Sequence, residues 1–290
     1  MNLLFTPDIE AAIRKGAAIA ISVSGGKDSD AMTYAILDWL RAQGLTNEVR
    51  LIHADLGRAE LKATPAHVEA TAARLNLPLH VVRHSKFDLV DGIRNRMKTR
   101  PEVPPWPSAK NRQCTSDWKR GPISKWIRNQ WPTGQVICAM GLRADESAAR
   151  AKKKISERRE DCCSRVRTVF NWNPIHKADV GDVWTTIGDQ PHHPAYDAHG
   201  DRPGNDRVSC AMCILANEGD LLNGALQDVE LFQAYCDIEI ESGFSFRDGL
   251  WLGKLAPQLL RDDQKAFYDR KSNNRTAARQ SVSKGQTCAA

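Results

Sequence analysis

Residues 17–29 have the sequence AAIAISVSGGKDS, and this segment sets the framework for the whole fold prediction. Ala17 to Val23 form an apolar run with the length of a buried strand, and the turn that follows contains two adjacent glycines. From Asp28 to Gln43 the apolar residues recur at helical spacing, and Gly44 follows where a C-terminal cap is expected. The segment therefore predicts a buried strand, a tight turn and a helix in direct succession.

The turn at residues 24–29 contains the residue types that an anion-binding turn needs. Its glycines let the backbone approach an anion, and the next N–H groups open a helix whose N-terminus favours a phosphate. Ser24 and Ser29 add hydroxyl groups and Lys27 adds a positive charge, while Asp28 is placed to hold Mg²⁺ or to orient the loop. The spacing is neither that of a Walker A loop nor that of the dinucleotide fingerprint G-x-G-x-x-G.

Strands and helices continue to alternate after this turn. Further strands are predicted at residues 49–54, 79–83 and 135–140, and further helices at 65–75, 87–97, from Pro122 onward and at 179–187. Alternation at this pace predicts an α/β fold with a doubly wound parallel sheet. Residues 100–107 contain four prolines and predict a loop, residues 152–169 are basic and poorly periodic, and residues 190–208 predict a second loop.

The C-terminal part is predicted to be mainly helical, with helices at residues 218–226 and 229–242. Three regions follow from the pattern. They are an α/β domain with a cysteine-containing insert at 1–217, a helical extension at 218–268 and a disordered basic tail at 269–290.

The 41 basic and 35 acidic residues give a formal charge of +6, but the basic residues are clustered. Residues 94–128 contain ten basic and two acidic residues, residues 143–167 nine and five, and residues 270–284 five and none. Such clusters indicate a polyanionic partner, either nucleotide phosphates, nucleic acid or both. Solvated helix faces and a loose tail are the alternative. Trp106, Trp118, Trp126 and Trp131 lie among the basic residues, either to stack on bases or to pack helices.

The chain has no window of about 20 apolar residues and no basic, apolar leader at its start. We therefore expect a cytoplasmic protein without a membrane partner. Its eight cysteines are then more suited to metal binding or redox chemistry than to structural disulfides.

Four segments resemble one known family. The turn SGGKDS at 24–29 resembles the PP-loop of the adenine-nucleotide α-hydrolase-like superfamily. The other three segments resemble parts of phosphoadenosine phosphosulfate (PAPS) reductase-like proteins. They are RQCTSDWKRGPI at 112–123, GLRADES at 141–147 with Arg150, and Pro194-Ala195-Tyr196 followed by RVSCAMC at 207–213. The order of the four is also the same. The similarity extends to family members of phages and mobile elements, and to the ATP-pyrophosphatase subunit of DNA phosphorothioation systems.

The resemblance implies a Rossmann-like sheet that binds a nucleotide at the carboxyl ends of its strands. Ser24, Asp55 and Gly141 to Arg143 all follow predicted strands, so we expect them to converge there. The expected nucleotide-binding residues are Ser24, Gly25, Gly26, Lys27, Asp28, Ser29, Asp55, Gly141 and Arg143, and Lys27, Asp28 and Arg143 are the expected catalytic residues. Asp55 is nearly as compatible with an ordinary strand-end turn, and Arg143 with an ion pair to Asp145.

The resemblance also implies metal ligation by Cys114, Cys210 and Cys213. Iron–sulfur members of the family hold a [4Fe–4S] cluster with cysteines of these two regions, but their adjacent Cys-Cys pair is here Gln113-Cys114, so one ligand is missing. One possibility is that another residue supplies the fourth ligand. The other is that the cluster has three protein ligands and one open iron. The candidates for a fourth ligand are Cys138, Cys162, Cys163, His192, His193 and His199. A zinc site and plain reduced thiols are the alternatives. Cys138 and Cys236 fall within predicted elements, so we interpret both as core residues.

The leading functional hypothesis is an ATP pyrophosphatase that uses Mg-ATP to adenylate an acceptor for sulfur transfer. The expected acceptor is DNA or another nucleic acid, and the expected sulfur donor is a protein such as a cysteine desulfurase. A reductase of PAPS or adenylylsulfate is the first alternative. The family's catalytic motif Glu-Cys-Gly-x-His is absent, however, and Cys288 lacks its partner residues. The second alternative is a non-catalytic nucleotide- or nucleic-acid-binding module of a phage or defence system.

Overall fold

The computed structural model describes residues 1–270, so Cys288 and the predicted tail from residue 271 onward lie outside the described residues. Six strands are present: β1 Ala18–Val23, β2 Val49–Asp55, β3 Leu79–Arg83, β4 Gly134–Met140, β5 Ser156–Arg158 and β6 Arg167–Trp172. The helices are α1 Pro7–Arg14, α2 Lys27–Ala42, α3 Thr64–Leu75, α4 Leu89–Thr99, α5 Gln113–Thr115, α6 Gly121–Gln130, α7 Ala148–Ala151, α8 Val180–Ile187, α9 Glu218–Gln227, α10 Val229–Ser242 and α11 Leu252–Leu255. Residues 262–270 are also helical.

The strands form one sheet in the order β3-β2-β1-β4-β6-β5. All neighbouring pairs are parallel except β5 with β6, which is antiparallel. The prediction of a doubly wound α/β fold with a mainly helical C-terminal part is therefore confirmed. The sheet switches direction between β1 and β4, because the chain winds outward from β1 through β2 to β3 and then returns to the other side of β1.

The sequence prediction missed β5 and the whole of β6, both of which begin in the basic region 152–169. Arg167, the first residue of β6, is buried, and its guanidinium donates to the carbonyl groups of Cys162, Arg128, Trp131 and Pro132. Burying a charged group is tolerated because these carbonyl groups replace its water. Strand prediction depends on the alternation of polar and apolar residues. A charged arginine at a position that faces the core breaks this alternation.

Helices cover both faces of the sheet. Ile19, Ile21 and Val23 of β1 pack with residues of α1 and α2 on one face, and Ala18 and Ala20 pack on the other face with residues of α6. Successive side chains of a strand point to opposite faces, so this division follows directly from the apolar run in the sequence.

Contacts divide the chain into two units. The first, Met1–Leu89 with Arg112–Cys210, contains the whole sheet. The second contains Val90–Asn111 and, within the described residues, 211–270. From the sequence we predicted a domain boundary at residue 217 and did not assign residues 90–111 to the same unit as the C-terminal helices. No helix in residues 1–270 is long and apolar enough to cross a membrane.

The second unit has its own buried polar anchor. Glu239 of α10 is fully buried and accepts hydrogen bonds from the N–H groups of Phe246 and Leu252 and from the Tyr268 hydroxyl. Trp106 stacks on Tyr235 with 5.6 Å between ring centroids, which ties the proline-rich segment to α10. Trp106 is thus a packing residue in this unit.

Candidate functional site

The turn after β1 lies at the switch point, where the carboxyl ends of the strands leave room for a ligand. Gly26 is the N-cap of α2, and Gly25 has a φ of +74°. A Cβ on Gly25 would lie 3.3 Å from a Thr64 side-chain atom and 3.4 Å from one of His193, so both space and conformation require glycine there. Ser29 braces the turn, because its hydroxyl donates to the Gly26 carbonyl at 2.7 Å and accepts from the Ser24 N–H at 3.3 Å.

Three backbone N–H groups of this turn are available to a ligand. Those of Gly25, Gly26 and Asp28 have no hydrogen-bond partner among residues 1–270. They lie at the N-terminus of a 16-residue helix, whose dipole adds to their attraction for an anion. Backbone donors in this position can donate to phosphate oxygens, and phosphate binding by the turn stays a prediction.

Lys27 is almost fully enclosed, with 4% of its surface exposed. Its ammonium group donates to the Asp206 carbonyl at 2.7 Å and lies 3.9 Å from a carboxylate oxygen of Asp28. Burial lowers the pKa of Lys27, and the guanidinium groups of Arg143 and Arg207 lower it further, against the opposing effect of Asp28. The sequence predicted Lys27 as a charge on the turn but not its contact with the segment around Asp206.

Arg143 connects the ends of β1 and β4. It is buried, and its Nε donates to Asp28 at 2.5 Å while a second nitrogen pairs with Asp145. The pairing with Asp145 was the alternative for Arg143, and the structure shows it together with the pairing to Asp28. Gly141 lies against the start of α2, since a Cβ there would be 2.8 Å from the Asp28 carbonyl carbon. The structure thus brings Gly141, Arg143, Lys27 and Asp28 together as expected.

Two further arginines surround a buried carboxylate next to this group. Glu146 accepts a hydrogen bond from Arg150 and forms an ion pair with Arg207 at 3.2 Å. Burial lowers the pKa of Arg150 to about 10, and the positive charges of Arg207, Arg112 and Arg143 contribute. The cluster of cations around Arg150 makes this region locally positive, which suits an anionic ligand. The sequence placed Arg150, Glu146 and Arg207 in family-like segments without giving them roles.

Asp55 has a different environment from the one expected. One of its carboxylate oxygens accepts from the Gly57 N–H at 2.6 Å, and the other pairs with Arg83 at 2.6 Å. The structure thus shows the strand-end turn that was the alternative interpretation. Asp55 nevertheless lines a cleft of about 420 Å³ between α3 and the ends of β2 and β3. Val68 also lines this cleft and would be 3.5 Å from a Cβ on Gly25, so the cleft adjoins the turn.

Buried histidines support the back of the turn. His67 bonds to Asp30 of α2 at 2.7 Å, and His193 bonds to the Thr64 hydroxyl at 3.1 Å. Nδ1 of His193 accepts from the Ala195 N–H at 3.1 Å, so the proton of the neutral ring lies on Nε2. Burial lowers the pKa of His193 to about 4, with His67 contributing. A proton on Nδ1 would face the Ala195 N–H, so the fold requires the neutral imidazole.

We expect the stability of the protein to fall below neutral pH through His193. Between pH 6.5 and 4 the unfolded chain binds the proton and the folded chain does not, so the free energy of unfolding decreases as the pH falls. The loss through this group is about 2 kcal/mol at pH 5 relative to pH 7.5. Urea unfolding at both pH values measures it. His193→Gln should remove most of this difference in the free energy of unfolding, whereas substitution of the exposed neighbour, His192→Gln, should retain it. The same difference between the two pH values in the wild type and both variants would contradict the assignment of the effect to His193.

The cysteines do not form the expected ligand set. No group of three or more Cys, His, Asp or Glu side chains that could hold a metal occurs in the described part of the chain. Cys114, Cys210 and Cys213 are half-buried, whereas Cys138, Cys162 and Cys236 are buried. Cys138 and Cys162 belong to the core on the α6 face of the sheet, so neither is available as the missing fourth ligand. Ligation of a [4Fe–4S] cluster or a zinc ion by Cys114, Cys210 and Cys213 therefore stays a prediction, and no step below uses either.

The sheet order and the glycine turn at the switch point define a doubly wound α/β domain with a phosphate-binding turn of the PP-loop type. The chain belongs to the phosphoadenosine phosphosulfate reductase domain family, whose sequence profile matches residues 18–216. This confirms the family resemblance of the four sequence segments. No curated protein matches the chain significantly in sequence.

Solved structures show distant similarity. The FMN adenylyltransferase of Candida glabrata, in complex with FMN and the ATP analogue AMPCPP, is 13% identical over 64% of this chain and 53% of its own, with a TM-score of 0.39. Yeast FAD synthetase in complex with FAD is 15% identical over 67% and 64%, with a TM-score of 0.35. The U34-tRNA thiolase NcsA from Methanococcus maripaludis, with its [4Fe–4S] cluster, is 12% identical over 87% of both chains, with a TM-score of 0.39. This chain thus spans less than two thirds of the length of the first two.

Proposed function

We propose that this protein splits ATP between the α- and β-phosphates, transferring AMP to an acceptor and releasing pyrophosphate. The observation that carries the proposal is the set of unpartnered N–H groups of Gly25, Gly26 and Asp28 at the start of α2. A concave group of backbone donors at a helix N-terminus suits the closely spaced oxygens of a pyrophosphate. Lys27, Arg143, Arg150 and Arg207 supply the positive charge that such a ligand requires.

The neighbouring cleft supports a nucleoside as the rest of the ligand. Its volume of about 420 Å³ falls in the usual range for small-molecule sites. Apolar side chains of Val68, Leu79 and Val81 line it together with the polar groups of His53 and Asp55. A base and its ribose suit this mixture of surfaces, and the shared Val68 connects the cleft to the turn that receives the phosphates.

The chemistry needs positioning and charge stabilisation more than covalent participation by the protein. A nucleophile of the acceptor bonds to the α-phosphorus, the bond to the bridging oxygen breaks, and the electron pair leaves with pyrophosphate. Lys27 and the helix N–H groups stabilise the charge that develops on the leaving group. Mg²⁺ enters with the nucleotide phosphates. Asp28 holds Arg143 and lies near Lys27, so its role in the proposal is to orient these cations.

The acceptor that we propose is a nucleic acid, which AMP activates for replacement of an oxygen by sulfur. Lys152, Lys153 and Lys154 are exposed and directly follow Arg150 of the anion site, so a polyanion on them would reach this site. Stacking on tryptophan is not part of the proposal, because Trp118 and Trp131 are buried and their indole N–H groups donate to Phe87 and Glu48. The sulfur donor in this scheme is a separate protein, such as a cysteine desulfurase.

Release of pyrophosphate from Mg-ATP, with AMP transferred to the acceptor or, when water is the acceptor, released as free AMP, tests the proposal. We expect slow release by the purified full chain alone and faster release with single-stranded DNA or RNA. The absence of release with every acceptor would contradict the proposed reaction. Binding of ATP without any turnover would favour the non-catalytic module.

Reduction of a sulfonucleotide is the second candidate, which the family's own name favours. The same site suits PAPS or adenylylsulfate, because both present a nucleoside and anionic groups to the turn. The matching experiment incubates the chain with either sulfonucleotide and a thiol donor. Formation of sulfite without any pyrophosphate release from ATP would select the reductase.

A further inference from the structure

The hydroxyl group of Tyr196 lies at the N-terminus of α2. It accepts hydrogen bonds from the N–H of Lys27 at 2.9 Å and from the N–H of Val208 at 3.3 Å. A Cβ on Gly26 would lie 3.4 Å from the same oxygen, so the missing side chain of Gly26 makes this approach possible. The hydroxyl therefore lies at the edge of the group of free N–H donors formed by Gly25, Gly26 and Asp28.

The Tyr196 hydroxyl accepts hydrogen bonds but does not donate one to any described residue. A phenol oxygen accepts through its lone pairs and donates one proton. Two N–H groups occupy the accepting side of Tyr196, and no acceptor for its proton is present among residues 1–270. Burial raises the pKa of Tyr196, so the proton is retained at neutral pH. A hydroxyl proton next to an anion site, with no protein acceptor in the part of the chain that the structure describes, is available to a ligand oxygen.

We infer that Tyr196 donates a hydrogen bond to the pyrophosphate moiety of the bound nucleotide and stabilises it as it leaves. The inference rests on the proposed function and adds a residue to its site. The proton stays on Tyr196 throughout, so no proton transfer accompanies the break of the bond to the α-phosphorus. The two N–H groups that donate to the phenol oxygen polarise the O–H bond, which strengthens its donation to a charged acceptor.

The ring of Tyr196 is held independently of its hydroxyl. It meets Trp184 of α8 edge-on with 5.2 Å between centroids, and the Lys27 ammonium lies 5.1 Å from its centroid. Phenylalanine retains both contacts and loses only the hydroxyl. Tyr34 of α2 offers a matched control, because its hydroxyl accepts from Arg74 on the side of the helix that packs against α8.

The test measures binding of inorganic pyrophosphate by calorimetry and the kinetics of pyrophosphate release from Mg-ATP. For Tyr196→Phe we expect binding ten- to hundredfold weaker and a kcat at least tenfold lower. We expect the KM for ATP to change by less than about threefold, since the bond strengthens mainly as the leaving group gains charge. Tyr34→Phe should match the wild type, and melting temperatures show whether each variant is folded.

A second substitution tests the inference if Tyr196→Phe does not fold. Replacement of Tyr196 by 3-fluorotyrosine retains the hydroxyl and makes it a stronger donor, so pyrophosphate binding should tighten about two- to threefold. Unchanged or tighter binding by folded Tyr196→Phe would overturn the inference, because the hydroxyl would then be neutral or would compete with the anion for the Lys27 N–H. If the wild type binds neither pyrophosphate nor ATP, the proposed function fails, and the inference fails with it.

Discussion

Lys27→Met is expected to lower kcat/KM for pyrophosphate release by about 10²- to 10³-fold, in the range measured for loss of a charge-stabilising donor. The ammonium group is enclosed beside Asp28 and Arg143, where water screens its charge poorly. Methionine has a similar unbranched stem and removes only the charge and its hydrogen bond to Asp206. Initial rates at several Mg-ATP concentrations measure the effect.

The matched control for Lys27→Met is Lys125→Met. Lys125 is an exposed lysine of α6, which covers the other face of the sheet. We expect wild-type kinetics for this control. A Lys27→Met enzyme with at least one third of the wild-type kcat/KM would remove Lys27 from the reaction that we propose.

Gly141→Ala is expected to lower ATP affinity by about 100-fold, although the substitution adds a single methyl group. That methyl would lie 2.8 Å from the carbonyl carbon and oxygen of Asp28 and 2.9 Å from the Ser29 nitrogen. These are backbone atoms, so the start of α2 must move, and the free N–H groups of the turn move with it. A displacement of about 1 Å at such a site is enough for an effect of this size. Calorimetric titration with Mg-ATP measures it.

The control for Gly141→Ala is Gly181→Ala in α8, where the added methyl would meet only a side-chain oxygen of Asp179 at 3.2 Å. We expect both variants to fold, with Gly141→Ala less stable by about 1–3 kcal/mol because of overpacking. Wild-type ATP affinity in Gly141→Ala would show that the ligand does not use the N-terminus of α2.

The site residues that directly follow strands in the chain could be predicted from the sequence. Parallel strands present their carboxyl ends at one edge of the sheet, so Gly26 and Gly141 had to approach each other once β1 and β4 were recognised. The close packing of Gly141 against α2, where an added Cβ would lie 2.8 Å from Asp28 backbone atoms, was not predicted.

The part of the site that comes from the loop at residues 190–208 could not be predicted in the same way. His193, Tyr196 and Arg207 contact residues of α2, α3 and the Glu146 segment that lie far away in sequence. A loop without periodicity gives no information on which of its side chains point inward. For Asp55 the difficulty was different, because its partner Arg83 lies on a neighbouring strand whose register the sequence does not specify.

The central claim is that the turn at residues 24–29 binds the phosphates of an adenosine nucleotide. Calorimetric titration of the full chain with Mg-ATP, followed by competition with inorganic pyrophosphate, tests it most directly. We predict saturable binding with one nucleotide per chain, displaced by pyrophosphate and weakened in both Lys27→Met and Gly141→Ala. No binding of ATP by the folded wild type, or equal binding by all three proteins, would contradict the claim.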